Sequence, residues 1–168
     1  MTDAKPVRDA RTAPPARTVP ATAGHLGDIV RLLALQLHEH RVAIEHARLE
    51  AAVRGVLEDP SRGFFLVLEL DGRCVGAAYV SFIWALEHGG HSAWLDEIYV
   101  EPAQREAGLG TEFLRAVLAE CEARGCAALD LEIDAEHERV RSLYRRHGFE
   151  ELPRRRLVRP LRGQSANE

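Results

Sequence analysis

The stretch GFFLVLELDGRCVGAAYVSFIWAL, residues 63–86, constrains this chain more than any other. It is two apolar runs rich in β-branched and aromatic residues, joined at Asp71-Gly72. Asp-Gly tolerates the positive φ angles that a two-residue hairpin turn demands. The stretch therefore predicts a long β-hairpin. HGGH at 88–91 marks the next turn, and SAWLDEIYV at 92–100 reads as a further strand. Sheet faces this apolar need covering layers.

Helical patterns flank the strands. Leu26, Ile29, Val30, Leu33 and Leu37 recur at three- and four-residue steps within Gly24 to His40. A second helix is expected from about Ala47 to Leu57, before Asp59-Pro60. Leu109, Phe113, Leu114, Val117, Leu118 and Cys121 share one helix face, with Gly125 placed as a C-terminal cap. In CAALDLEI, Leu129, Leu131 and Ile133 alternate with Asp130 and Glu132, a strand pattern. A helix is predicted over 136–147, ending at Gly148, and a last strand over 150–158. The fold class expected is α/β of the layered α+β kind, a mixed, mostly antiparallel sheet flanked by helices.

The Pro-, Ala- and Arg-rich residues 1–17 lack periodicity and are expected to be a disordered tail. One domain should span 18–160, followed by a short tail at 161–168. Net charge is −4, which does not point to nucleic acid. Three cysteines without a CxxC argue against a disulfide framework or a zinc site, and no metal is expected. The eight histidines are spaced for neither chelation nor an obvious base. No apolar run is long enough to span a membrane, and no secretory leader is recognisable, so a cytoplasmic setting is expected.

QREAGLG, residues 104–110, places two glycines one residue apart between a strand and a helix. The N–H groups of a first helical turn are free and the helix dipole adds positive potential, so this is anion-site geometry. It is not a P-loop, because Thr111 and Glu112 stand where a Lys is required; nor a dinucleotide fingerprint, because Phe113 replaces the third glycine. On these residues alone a plain strand-to-helix turn remains open.

VEPAQREAGLGTEFLRAVL, however, resembles motif A of the GNAT superfamily of acyl-CoA-dependent N-acyltransferases, through Arg105, Gly108 and Gly110. RSLYRRHGFEEL resembles its motif B, through Leu143, Tyr144, Gly148 and Phe149. TVPATAGHLGDIVRL looks like the family's first strand and helix, so the resemblance covers roughly 18–158. Two departures are His137, where the family often has Asn, and Glu106-Ala107 before the first glycine.

The resemblance implies acetyl-CoA as cofactor. It places the pyrophosphate on the backbone of Arg105, Glu106, Ala107, Gly108, Leu109, Gly110 and Thr111, with Arg105 and Arg141 near phosphates. The pantetheine arm would pair with Ile98, Tyr99 and Val100, and Leu131 to Asp134 would line the other side of a gap between splayed strands. Tyr144 is the expected acid for the departing thiolate. Asp96 is the first candidate for base or amine anchor and Glu97 the second; as strand neighbours they are expected on opposite faces. Acidic residues here, with Glu87 nearby, favour a small cationic amine: a polyamine, an aminoglycoside or an amino-acid-like compound. A peptide acceptor and a non-catalytic acyl-CoA-binding module are the alternatives, and a homodimer through FIWAL is a further expectation.

Overall fold

The computed structural model describes residues 16–133 and 138–161, except the side chains of residues 106, 107, 138 and 139. The expectations for residues 1–15 and 162–168, and for Asp134 and His137, lie outside the described residues, as does the Glu106 side chain.

The hairpin forms as the Asp-Gly turn requires. β2 (Gly63–Leu70) and β3 (Arg73–Ala85) run antiparallel, with Asp71 at φ 51 and Gly72 at φ 75. Positive φ at both central residues matches the twist of the flanking strands. β1 (Arg17–Pro20) pairs with β2, and β4 (Gly90–Val100) with β3. β5 (Leu129–Leu131) joins β4 in parallel, completing a sheet in the order β1-β2-β3-β4-β5. β1 takes in Arg17, the last residue assigned to the tail, whose guanidinium holds Glu69 at 2.7 Å.

Both sheet faces are covered. α1 (Leu26–Glu39) and α2 (His46–Glu58) pack Ile29, Leu33, Leu49 and Val53 against Phe65, Val67, Ala77 and Tyr99. On the other face α3 (Leu109–Ala123) and α4 (Glu138–Arg146) set Phe113, Leu114, Val117 and Tyr144 against Leu66, Leu68, Val80 and Leu95. Each of the Val, Leu, Ile and Phe side chains among these contributes about 1.5–3 kcal/mol when fully buried. α3 is the crossover that a parallel β4–β5 pair needs.

The expected strand over 150–158 does not form. Among the described residues no ladder pairs this segment, and Leu157 and Val158 are exposed. Pro153 and Pro160 remove backbone donors. Two of the arginines between them reach carboxylates instead: Arg154 spans both oxygens of Glu87 (3.0 and 2.7 Å) and Arg156 reaches Glu132 (2.9 Å).

Candidate active site

The site begins with a defect in β4. Val80 pairs with Leu95, but its neighbour Tyr79 pairs with Glu97, so Asp96 is an extra residue without a partner on β3. A bulge of this kind interrupts alternation. Before it, Leu95 joins the core under α3; after it, Ile98 and Val100 do, and Tyr99 faces α1. Glu97 lies opposite Tyr79 on the α1 side, and the Asp96 carboxylate bonds Ser81 and acts electrostatically on both Tyr79 and Glu97. The expectation that Asp96 and Glu97 point to opposite faces is therefore corrected. The bulge turns both carboxylates to one side.

Their protonation follows from this crowding. Burial raises the Glu97 carboxyl, the Asp96 charge raises it further, and Arg156 offsets part of the effect; it ends at about 7. Asp96 is also raised, by desolvation first, against hydrogen bonds from Ser81 and the charge of Arg156. Asp96 is nevertheless exposed to solvent by area. The two facts agree if the group lies on a concave wall, where protein mass surrounds a carboxylate that water still touches.

The bulge also marks where two strands part. β5 pairs with β4 only at Ala93, Trp94 and Leu95. From Asp96 to Val100 the β5 side of β4 carries no ladder among the described residues. The ladder therefore stops at the residue where the bulge begins. The strand edge beyond it can take an extended ligand by main-chain pairing.

At the end of β4 a 3-10 segment, Pro102–Ala107, leads through Gly108 (φ 77) into α3. Thr111 and Glu112 donate their N–H groups to the Gly108 carbonyl (3.1 and 3.2 Å). Helix geometry leaves the N–H groups of Leu109 and Gly110 without an intrahelical acceptor. Gly108 needs its glycine for the backbone angle. Gly110 does not, and a Cβ there would meet nothing within 4 Å. A helical glycine with open space around it loses about 0.8–1.0 kcal/mol against alanine. No atom of the described residues asks for that loss, whereas a phosphate laid against the first turn would. The turn therefore fits a CoA pyrophosphate.

Tyr144, on α4, is buried under the sheet with its ring edge-on to Phe149, centroids 5.3 Å apart. Burial alone pushes its phenol up to about 12, so it stays protonated at neutral pH. It packs in the α3-side core, on the face opposite the one that Glu97 shares with Tyr79. The helix ends as its motif requires: Phe149 donates to the Tyr144 carbonyl and Gly148 takes φ 84. Arg141 lies 3.2 Å from Glu151. The Arg105 side chain turns toward the protein, its Nε on the Val100 carbonyl (2.8 Å) and Nη2 on Glu39 (2.8 Å). Ser81, Glu39 and Arg156 carry no signal in the sequence that would have joined them to this site, because all arrive from distant segments.

Two clusters elsewhere bring three metal-capable groups together: Glu87, His88 and Asp130, and His25, Glu69 and Cys74. Arg154 already takes both Glu87 oxygens. In the second cluster His25 Nδ1 accepts the Thr22 N–H at 2.9 Å, which leaves the hydrogen on Nε2 facing Glu69.

A model of the acetyltransferase (GNAT) family matches residues 29–149. Thialysine N-epsilon-acetyltransferase of Bos taurus is 30% identical over 148 residues, covering 79% of this chain and 82% of that protein. An integron cassette protein from the mobile metagenome of Cole Harbour salt marsh superposes with a TM-score of 0.76 at 28% identity, over 86% of this chain and 90% of the other. An aminoglycoside N-acetyltransferase solved in complex with CoA gives the same TM-score, 0.76, at 19% identity, over 90% of this chain and 98% of the other, a likeness of fold.

Proposed function

The chain belongs to the GNAT family of acetyltransferases, and from that premise we propose that its acceptor is a small cationic primary amine, with Glu97 as base, Asp96 as anchor for the cation and Tyr144 as acid. It is an acyl-CoA-dependent acetyltransferase that uses acetyl-CoA. The observation that carries the proposal is the coincidence at Asp96: β4 bulges, parts from β5 and turns two carboxylates to one side at a single point.

Acetyl-CoA, when bound, supplies a thioester carbonyl open to attack. The amine arrives charged, since an alkyl ammonium has a pKa near 10.4. Two adjacent carboxylates attract it and Asp96 holds it. Glu97 then takes its proton, directly or through a water; a group near 7 is well matched to proton transfer at neutral pH. N–H groups of β4 beyond Leu95 can donate to the carbonyl oxygen as it gains charge. Tyr144, kept protonated by burial, donates to the departing sulfur, and the second proton lost by the acetylated nitrogen restores the phenol, so that only the proton on Glu97 is released to solvent. The backbone from Arg105 to Thr111, with Glu106, Ala107, Gly108, Leu109 and Gly110 between, holds the pyrophosphate, and Ile98, Tyr99 and Val100 pair with the pantetheine amides.

The acceptor class is supported by the thialysine and aminoglycoside enzymes among the relatives. The three free thiols support a reducing, cytoplasmic setting, and no described helix is long and apolar enough to cross a membrane. Exposed Trp84 and Leu86 support a homodimer through the FIWAL segment. The test is acetylation of polyamines, aminoglycosides and lysine-like amino acids, each with wild type and Tyr144→Phe. Turnover of a small amine that falls about 10²-fold or more in the variant, with acetyl-CoA binding retained, is expected. Full turnover by Tyr144→Phe would remove the assigned acid, and activity on peptide amines alone would remove the acceptor class.

A further inference from the structure

The first residue of the glycine-turn motif is used in an unexpected way. The Arg105 guanidinium is turned inward: Nε bonds the Val100 carbonyl (2.8 Å), and Nη2 lies 3.0 and 2.8 Å from the two oxygens of Glu39. Its carbon stands 5.1 Å from the centre of the Tyr99 ring. The Tyr99 hydroxyl donates to the same Glu39 carboxylate at 2.9 Å. Burial works to raise the Glu39 carboxyl, but the bonds from Arg105 and Tyr99 and the charge of Arg105 outweigh it and hold it below the usual range.

Glu39 is the last residue of α1, on the carboxylate side of the sheet. A second tie joins the same two segments with the charges reversed. Arg31 of α1 reaches Glu101 at 2.7 Å and the Cys74 carbonyl at 2.8 Å. Arg31 and Glu39 are roughly two turns of helix apart. Glu101 immediately precedes the 3-10 segment that leads into Gly108, and Arg105 lies within that segment, in its last turn. α1 thus holds this connection at two points, by an arginine at its start and a carboxylate in its last turn.

We infer that Glu39 is a positioning residue for cofactor binding: through Arg105 and Tyr99 it fixes where β4 ends and where the turn to α3 begins. This rests on the reading that the turn from Arg105 to Thr111 holds the pyrophosphate. Glu39 touches neither acetyl-CoA nor the amine. It sets the direction of the free N–H groups on Leu109 and Gly110. It also links the cofactor turn to α1, which covers the carboxylate side, so the two substrates approach elements that are tied together.

The experiment is steady-state kinetics and calorimetric titration with acetyl-CoA on Glu39→Gln, Arg105→Gln, the double variant, Glu39→Asp and Gly110→Val, with thermal midpoints as a check on folding. Glu39→Gln should raise KM for acetyl-CoA about tenfold, the size of one charge-assisted hydrogen bond, and leave kcat and the amine KM unchanged. Because Glu39 acts through Arg105, the double variant should be no worse than the weaker single. Glu39→Asp should recover part of the loss. An unchanged KM for acetyl-CoA in Glu39→Gln, losses that add in the double variant, or a loss confined to the amine KM would overturn the inference. Gly110→Val separates it from the reading beneath it. If that variant folds and binds acetyl-CoA as wild type does, the pyrophosphate site itself is misplaced. If it loses binding while Glu39→Gln does not, only the role of Glu39 falls.

Discussion

One edge of β4 differs sharply from the other. Toward β3 it is paired from Gly90 to Val100; toward β5 only from Ala93 to Leu95. The same strand is scaffold on one side and, past its bulge, carries no ladder on the other among the described residues. Two glycines mark the contrast. Gly76, on β3, lies where a Cβ would come within 2.8 Å of the Tyr99 carbonyl oxygen, 3.2 Å of Leu68 Cβ and 3.4 Å of the Phe113 ring. At Gly110 a Cβ would meet nothing within 4 Å. One glycine is required by protein packing. The other is left open by it.

The strongest way to break this comparison is at the bulge. Glu97→Gln removes the proposed base and keeps the volume. The expected loss in kcat is about 10²–10⁴-fold, the usual range for general acid–base groups, with acetyl-CoA affinity unchanged in titration. A drop of less than about fivefold would mean that the open edge carries no proton chemistry through this residue.

The glycines come next, and their effects should differ in kind. Gly76→Ala forces a methyl toward backbone that cannot turn aside, and should cost about 1–3 kcal/mol in denaturant unfolding. Gly110→Ala should raise stability by about 0.5–1 kcal/mol, because it gains helix propensity and touches nothing. The same change should weaken acetyl-CoA binding. A stabilised Gly110→Ala variant with full affinity would end the argument that this glycine serves a ligand.

Much of the scaffold was legible in the sequence, because it obeys local rules. Asp71-Gly72 dictates its turn and the Leu109 to Cys121 face dictates α3, so the structure follows the pattern there. The site was legible as motifs but not as geometry. Alternation puts Asp96 and Glu97 on opposite faces, and only the pairing of Tyr79 with Glu97 shows that one residue has been inserted. A bulge is a relation between two strands, so neither strand announces it. Residues 150–158 failed for a related reason. Pro153 already weakens a strand there, and the attraction of Glu87 and Glu132 for Arg154 and Arg156 is settled only in three dimensions. Arg156 enters the site by that route.

The smallest effects should be the most discriminating, because they have opposite signs. Above about pH 7 Glu97 is a carboxylate able to accept a proton; below it, the group is protonated and cannot act as the base. The kcat/KM profile should therefore rise with pH through about 7. Asp96 raises the Glu97 carboxyl by like charge, so Asp96→Asn should move this limb to lower pH. Arg156 lowers it, so Arg156→Gln should move the limb to higher pH. Desolvation, the largest cause, is left in place by both changes. Asp96→Asn should also weaken the amine KM, since the anchor is lost, whereas Arg156→Gln should leave it the same or tighter. If both variants move the limb in one direction, the titrating group is not Glu97. If neither moves it, the carboxylates at the bulge are too well screened by water to sense one another, and the concave wall inferred from Asp96 does not exist.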